Sequence, residues 1–338
     1  MKLSIAMFLV GSLSLSLAPC WAEFPPKAAR DQLSKIQTNI QAEAPSMGKK
    51  PDSAVSLSLP PKVILILEDP ETEKWAAEVK SEHDGLPIMG TNLPMVRFRE
   101  LLGRLQKTLN DLPQPPLAVI WDYSFPNYKP ESNPATVDFA QSLLRSPFPV
   151  VLGERTYSGH PLCPMVYAAT FQENKFRGEN YATKDAPGIP SFIPIRFTPA
   201  LPPAGDPLAV TEPLSIVAAA AVLVSTQHLE KEEALFTAHK LAEKAARTNP
   251  AAIKIHMEDG KDIDASGIKF TSCSLEEISM KQVILRDPAA LGSLAGAIVV
   301  VGDATEDIIT IEGKPKSGCY LHACTLLQIL KASQPSAP

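Results

Sequence analysis

Three short runs of apolar residues place the strongest constraint on how this chain folds. They cover residues 63–67, 117–121 and 298–301, and each is followed within two residues by an acidic side chain. Unbroken apolar runs rich in Val and Ile are typical of strands buried on both faces of a parallel sheet. Segments with helical spacing separate the runs. This order predicts right-handed crossovers and an α/β fold with a central mixed, mainly parallel sheet flanked by helices.

The remaining elements follow from the spacing of apolar residues, which at three- and four-residue steps predicts amphipathic helices. Helices are expected at residues 72–80, 95–112, 137–145, 214–224, 230–247, 275–284 and 322–330, and further strands at 149–152, 166–169, 193–197 and 253–257. Residues 154–213 form a loop-rich middle segment, in which the polar stretch 174–188 has no predicted strand. Residues 287–294 are expected to form a loop or short turn.

Residues 1–22 have the features of a secretory signal peptide. Lys2 precedes an apolar stretch, and Cys20 and Ala22 are small residues at the −3 and −1 positions of a cleavage site. The stretch is shorter than the roughly 20 residues that a spanning helix needs, and no later segment is apolar enough to span. We therefore expect an exported chain, periplasmic or extracellular, with no transmembrane segment after cleavage. An uncleaved amino-terminal anchor is the alternative.

Composition divides the rest of the chain into three parts. Residues 23–61 are polar and contain Pro, Lys and Ser, as expected for a flexible tether. Residues 62–331 carry the predicted domain, and residues 332–338 are expected to be a disordered tail. The formal net charge is −5 and the basic residues are scattered. Because no basic run is present to neutralise a row of phosphates, nucleic acid is not an expected partner.

Removal of Cys20 with the signal leaves four cysteines: Cys163, Cys273, Cys319 and Cys324. An even set in an oxidising compartment permits two disulfides with three pairings. A local bridge between Cys319 and Cys324 is one possibility, although a strand-to-helix junction there would point the two sulfurs apart. Buried free thiols are the alternative.

The carboxyl-terminal pattern resembles a known family. Residues 294–302, LAGAIVVVG, then a variable loop, residues 318–323, GCYLHA, and a leucine-rich helix are similar to the closing signature of the type-2 CHASE domain. This is the cyclase- and histidine-kinase-associated sensory extracellular module. The amino half agrees in order at residues 63–69, 98–109 and 118–122, and the resemblance covers residues 61–331.

The resemblance implies a sensory, ligand-binding or protein-interaction role in bacterial signalling, with a small ligand or a membrane receptor as partner. The family's stretch of Asn, Asp and Gly is similar to residues 180–194, which makes Asp185 a candidate ligand-binding residue. Family members usually have Arg after the Asp-Gly pair, but Ile189 follows Gly188 here, which weakens the case for an anionic ligand. Members normally continue into transmembrane helices and an output domain, and we expect neither in this chain.

Acidic residues follow all three apolar runs: Glu68 and Asp69, Asp122, and Asp303. Ligands of open parallel sheets bind beyond the carboxyl ends of the strands. We hypothesise that these carboxylates, with His322 at the start of the last helix, form a rim that binds a small cationic or polyhydroxylated ligand. The alternative is that the aspartates cap helices or form Asx turns and that the histidine is simply packed.

Known catalytic motifs are absent from the sequence: there is no nucleophile elbow, zinc-protease motif, P-loop or dinucleotide-binding glycine pattern. We therefore expect a binding module rather than an enzyme, with no cofactor. Cys319, His322 and Cys324 lack the short spacing of a structural zinc site, so no metal is expected. The rival hypothesis is a periplasmic hydrolase that uses Asp122, Asp303 and His322. A further one is a protein that binds a sister receptor of the same fold.

Overall fold

The central element of the computed structural model is a six-stranded sheet in which every pairing is parallel. Its strands are β1 (Val63–Glu68), β2 (Ala118–Trp121), β3 (Val150–Glu154), β4 (Lys175–Glu179), β8 (Glu276–Ser279) and β9 (Ile298–Asp303). Their order is β4-β3-β2-β9-β1-β8. The structure describes residues 61–88, 94–125, 133–154, 163–172, 174–179, 192–194, 212–256, 262–311 and 313–333. The predicted α/β fold is confirmed.

The three apolar runs lie side by side, with β9 between β1 and β2. Ile64 pairs with Val299 of β9, and Val119 pairs with the same residue from the other side. Alternate residues of each strand point to opposite faces, so every strand contributes to two cores. Ile66 and Trp121 belong to the front core, whereas Leu65 belongs to the back core.

Helices cover both faces of the sheet. The front face packs against α1 (Pro70–Glu78), α2 (Pro94–Asn110), α3 (Pro134–Leu144), α4 (Pro164–Tyr167), α7 (Met280–Ile284) and α8 (Pro288–Leu294). The back face packs against α5 (Leu214–Gln227), α6 (Lys231–Thr248) and α9 (Gly318–Lys331). The leucines of α2 are buried at the predicted helical spacing. Asn133 caps α3 and Pro134 starts it, which suits the fixed φ of proline.

Two small antiparallel sheets accompany the central one. Strands β5 (Phe192–Pro194), β6 (Pro250–His256) and β7 (Asp262–Lys269) pair in the order β5-β7-β6. Strands β10 (Ile308–Ile311) and β11 (Lys314–Ser317) form a hairpin between β9 and α9. Among the described residues, no helix combines the length and apolar character needed to cross a bilayer.

Several predicted elements were wrong. Residues 166–169, predicted as a strand, lie in α4 and the 3₁₀ helix Ala168–Phe171, because a short apolar run after Pro164 is equally compatible with a helix. Strand β4 lies in the stretch predicted to have none. Its front-face residues Lys175 and Arg177 are charged but little exposed, so the segment lacks the usual apolar alternation.

The chain near residue 280 also differs from the prediction. The predicted helix 275–284 begins as strand β8, and only its second half, α7, is helical. Ser279 and Gln282 form a capping box that starts the helix there. Residues 287–294 form helix α8 rather than a loop, with Asp287 as its cap and Pro288 in its first turn. These caps set the boundaries more strongly than apolar spacing does.

The local bridge between Cys319 and Cys324, one of the possibilities that the sequence left open, does not form. Cys273 and Cys324 form the disulfide, with their Cα atoms 5.6 Å apart, and Cys163 and Cys319 are buried free thiols. Cys319 and Cys324 lie five residues apart on one helix, α9. A helix rises about 7.5 Å over five residues and turns them to different sides, which is too far for a bridge. The residue 319–324 segment is therefore not a strand-to-helix junction.

Other predictions fall outside the described residues. These are the signal peptide and tether, Asp185, and most of the carboxyl-terminal tail.

Candidate functional site

Acidic residues end four neighbouring strands at the carboxyl edge of the central sheet. Glu68 of β1 is paired with Asp303 of β9, and the backbone N–H of Asp122 donates to the carbonyl of Val301 at 2.8 Å. Glu154 ends β3 in the same layer. The strands that precede the predicted acidic residues therefore do meet at one edge. The side chains, however, divide between the two faces of the sheet.

The front-face cluster consists of Glu68, Tyr123 and Asp303. Glu68 lies two residues after Ile66, so it points to the same face, that of the front core. Asp303 is paired with Glu68 on the neighbouring strand. The Tyr123 hydroxyl donates to Glu68 Oε2 at 3.1 Å. The glutamate side chain is buried, with 6% of the residue exposed. A carboxyl group is thus enclosed between a phenol and a second carboxyl group.

Burial is the main cause of a large shift at Glu68. Burial, followed by the negative charge of Asp303, raises the pKa of the Glu68 carboxyl group from 4.5 to about 8. The hydrogen bond from Tyr123 acts in the opposite direction. Burial and the charges of Glu68 and Asp303 likewise raise the pKa of the Tyr123 phenol. Glu68 therefore holds its proton at neutral pH.

The back-face cluster consists of Asp122, Ser215, Cys319 and His322. His322 Nε2 lies 4.0 Å from Asp122 Oδ1, and His322 Nδ1 lies 3.3 Å from Ser215 Oγ. The Ser215 hydroxyl also donates to the His322 carbonyl at 3.3 Å. All of these side chains are buried. His322 thus lies between a serine and an aspartate, as in a Ser-His-Asp catalytic triad, but Ser215 is buried.

Cys319 approaches the sheet closely at Gly302, where a Cβ atom would lie 2.5 Å from the cysteine Sγ. A side chain at this position would displace the helix, so glycine is required for α9 to pack. Burial, and then the charge of Asp122, raise the pKa of the Cys319 thiol well above its usual range. The thiol is therefore protonated, which makes it a poor nucleophile.

Two predicted ligand-binding residues make capping contacts. Asp69 Oδ1 accepts from the backbone N–H of Thr72 at 2.8 Å and from the Ser279 hydroxyl at 3.0 Å. Asp303 Oδ1 accepts from the backbone N–H of Thr305 at 2.6 Å and of Glu306 at 3.0 Å. These are the contacts that the capping alternative describes. Asp303 nevertheless faces Glu68, whereas the cap at Asp69 serves α1.

The rim is therefore not one continuous site. Glu68 and Asp303 meet on the front face, and Asp122 and His322 meet on the back face. The three residues of the hydrolase hypothesis are divided in the same way, since Asp303 lies on the opposite face from Asp122 and His322. This division follows from the alternation of side chains along each strand. Asp122 lies two residues after Ile120, so it points to the same face, that of the back core.

Sequence reasoning missed Tyr123 and Glu154. Tyr123 lies two residues beyond Trp121, so it has front-face parity and could have been found from the strand register. Glu154 is fully buried at the end of β3, with Oε2 3.6 Å from Arg177 Nη1. The same signal that selected Asp122, an acid at a strand end, also applied to Glu154. The signal was overlooked because the predicted strand stopped short of Gly153.

Within the described part of the chain, no group of three or more His, Cys, Asp or Glu side chains is arranged to hold a metal ion. Comparison with known proteins adds no assignment: no family model matches the chain, and no curated protein or solved structure matches it significantly. The resemblance to the type-2 CHASE domain therefore stays a prediction from the sequence.

Proposed function

We propose that this chain is an extracytoplasmic sensory module of the type-2 CHASE kind, which binds a small ligand at the front-face cluster. The observation that carries the proposal is the pairing of Glu68 with Asp303 at the carboxyl edge of adjacent parallel strands. This is the edge at which open α/β sheets bind ligands. The predicted signal peptide supports export, and the Cys273–Cys324 disulfide is compatible with an oxidising compartment.

The chemistry of the cluster favours a cationic or polyhydroxylated ligand. Three of the neighbours that shift the pKa of Glu68 are the acidic residues Asp303, Glu73 and Glu306, and the fourth is the phenol of Tyr123. A cationic group placed between two carboxylates would lower the energy of their ionised forms. A hydroxyl group could instead donate to a carboxylate oxygen. An anionic ligand would meet repulsion from the same groups.

The test is a thermal-shift screen of the purified chain against amino acids, sugars, polyamines and divalent ions, because a ligand that binds only the native state raises its melting temperature. We expect one of these classes to raise it, and Glu68→Gln and Asp303→Asn each to weaken binding at least tenfold. Glu78→Gln is the matched control, since Glu78 is an exposed acid at the other end of α1. Absence of any shift, or a shift unchanged in both cluster variants, rejects the proposal.

Hydrolysis is the second candidate function, and the position of His322 between Ser215 and Asp122 favours it. In that reaction the Ser215 oxygen would add to the acyl carbon of an ester while His322 accepts the serine proton. The ester C–O bond would then break, and His322 would give the proton to the leaving alcohol. Burial argues against it, since only 1% of Ser215 is exposed. Turnover of a chromogenic ester that is lost in Ser215→Ala but retained in Ser142→Ala would favour the hydrolase over the sensory module.

A further inference from the structure

Helix α9 carries two polar side chains among apolar ones in its second half. Residues 324–330 read CTLLQIL, and in this stretch only Thr325 and Gln328 have side chains that form strong hydrogen bonds. Every residue of the stretch except Gln328 is at most 8% exposed. The two polar residues are three positions apart, so they are neighbours on one face of the helix. Polar groups on a buried helix face need hydrogen-bond partners there.

The Thr325 hydroxyl is the first of two buried atoms that lack such a partner. Thr325 is fully buried, and its Oγ1 has no hydrogen-bond partner among the residues that the structure describes. By contrast, Thr226 of α5 donates to the Val222 carbonyl of its own helix at 2.8 Å. Burial of a hydroxyl group without a partner destabilises the folded state. A valine would fill nearly the same volume at position 325 without this cost.

The Gln328 amide provides the second such atom. Its Nε2 donates to the Lys269 carbonyl at 3.4 Å. Its Oε1 is buried and has no hydrogen-bond partner within the described part of the chain. Reversal of the amide would lose the bond to the Lys269 carbonyl, so the assigned orientation is the favoured one. The buried end of this side chain is therefore an acceptor without a donor.

The two residues lie where α9 is fastened to the segment that follows β7. Lys269 is the last residue of β7, and the disulfide attaches Cys324, the neighbour of Thr325, to Cys273. One turn earlier, the Tyr320 hydroxyl accepts from the backbone N–H of Cys273 at 3.2 Å. These contacts hold the helix in place, so a small movement of α9 cannot bring the two polar atoms to solvent. Their partner must be small enough to be enclosed.

We propose that α9 binds one enclosed water molecule, which accepts from the Thr325 hydroxyl and donates to Gln328 Oε1. Two hydrogen bonds of about 2.8 Å span up to about 5.6 Å, which matches the spacing of neighbouring side chains on one helix face. Both side chains are neutral, which suits water better than an ion, because a buried ion needs a compensating charge. Enclosed waters of this kind satisfy buried polar groups and belong to the folded structure. The site is independent of the proposed ligand.

A high-resolution crystal structure of the chain tests the site directly. We expect density for one water molecule within hydrogen-bonding distance of both Thr325 Oγ1 and Gln328 Oε1. A Thr325 hydroxyl that has turned onto the Leu321 carbonyl of its own helix would overturn the proposal. A water molecule that contacts only one of the two atoms would overturn it as well.

Stability measurements provide a second test. Thr325→Val removes the hydroxyl and keeps the shape, so the equilibrium constant for folding, measured by urea denaturation, should fall by about fivefold or more. Gln328→Leu should then cost less in the Thr325→Val chain than in the wild-type chain, because the water molecule has already lost one partner. Thr226→Val is the matched control, since its hydroxyl bonds to its own helix, and it should show no coupling to Gln328→Leu. Unchanged or increased stability of Thr325→Val would overturn the proposal, as would additive effects of Thr325→Val and Gln328→Leu.

Discussion

Glu68 and Lys175 are two buried ionisable residues at opposite edges of the central sheet, and their surroundings differ. Lys175 starts β4 at the amino edge and is 1% exposed. Its Nζ donates to the Ser146 carbonyl at 3.0 Å, the Phe148 carbonyl at 3.3 Å and Asn174 Oδ1 at 2.8 Å. Glu68, at the carboxyl edge, accepts a hydrogen bond from one phenol and faces other acids.

The difference separates a structural role from a candidate functional one. Lys175 fills its donor capacity with oxygens of the chain, so it fastens the α3–β3 connection to β4 and leaves nothing for a ligand. Burial and the charges of Asp303, Glu73 and Glu306 disfavour the charge of Glu68, and they outweigh the hydrogen bond from Tyr123. A buried group in such surroundings changes state when a proton or a cation arrives. Burial alone therefore does not identify a functional residue; the identity of the neighbours does.

The two residues also predict opposite effects of pH on stability. Burial lowers the pKa of Lys175 from 10.5 to about 7, and the pKa of Glu68 is raised from 4.5 to about 8. For Glu68 the native state holds more protons than the unfolded chain between pH 4.5 and 8, so stability falls as pH rises through this range. For Lys175 the unfolded chain holds more protons between pH 7 and 10.5, so stability rises there.

The largest expected effect comes from removing the lysine. Lys175→Ala removes a donor from the buried Ser146 and Phe148 carbonyls, of which the second keeps the Ser146 hydroxyl, and it creates a cavity. We therefore expect a loss of about 3 kcal/mol in the free energy of unfolding. Urea denaturation at pH 7 measures this. Lys74→Ala, at an exposed position of α1, should change stability by no more than about 0.5 kcal/mol. A loss equally small in Lys175→Ala would contradict a structural role.

Removing the ionisable group at Glu68 should have the next largest effect. One pKa unit corresponds to about 1.4 kcal/mol, and relaxation around an ionised carboxylate reduces the full value. We therefore expect Glu68→Gln to be more stable than the wild-type chain by about 2 kcal/mol at pH 9 and nearly equal to it at pH 5. Chemical denaturation of both chains across this range measures the difference. Parallel pH profiles would mean that Glu68 ionises normally.

A smaller effect is expected in the free energy of unfolding at alkaline pH, where Lys175 contributes. In the Glu68→Gln background, stability should rise by about 1 kcal/mol between pH 8 and pH 10 because unfolding then takes up a proton at Lys175. Relaxation of the protein around the buried charge reduces the full linkage value, so the rise in stability is small. Adding Lys175→Met should flatten it. Adding Lys74→Met instead should leave the rise unchanged. If the stability of Glu68→Gln alone does not rise between pH 8 and pH 10, the pKa of Lys175 is not lowered.

The same contrast explains what the sequence could predict. The strands β1, β2 and β9 were predictable because their unbroken apolar runs are rich in Val and Ile, and the acidic residue that follows each run is read directly from the sequence. Strand β4 was not, because it buries Lys175 and Arg177, whose neighbours come from distant segments. The Cys273–Cys324 pairing likewise depends on how α9 lies against the segment before β8, which local spacing does not report.

The division of the rim between two faces depends on the strand register. Side chains alternate along a strand, so Glu68 and Asp122 could have been assigned to opposite faces once the register was assumed. The register itself was not predictable, since it depends on β9 lying between β1 and β2. The shift in the pKa of Glu68 depends on that same arrangement, because its burial and the charge of Asp303 are its two largest causes.

The smallest expected effect tests the phenol that distinguishes Glu68 from a carboxyl group enclosed only by acids. The hydrogen bond from Tyr123 opposes the rise in the pKa of Glu68, so Tyr123→Phe should raise this pKa further while it keeps the ring packed against Phe98. The pH at which the free energy of unfolding stops falling should then move upward by less than about one unit, which is equivalent to roughly 1 kcal/mol or less. The midpoint is read from stability measured at closely spaced pH values. A shift to lower pH would show that the hydroxyl stabilises the protonated carboxyl group instead, and that Glu68 donates to Tyr123.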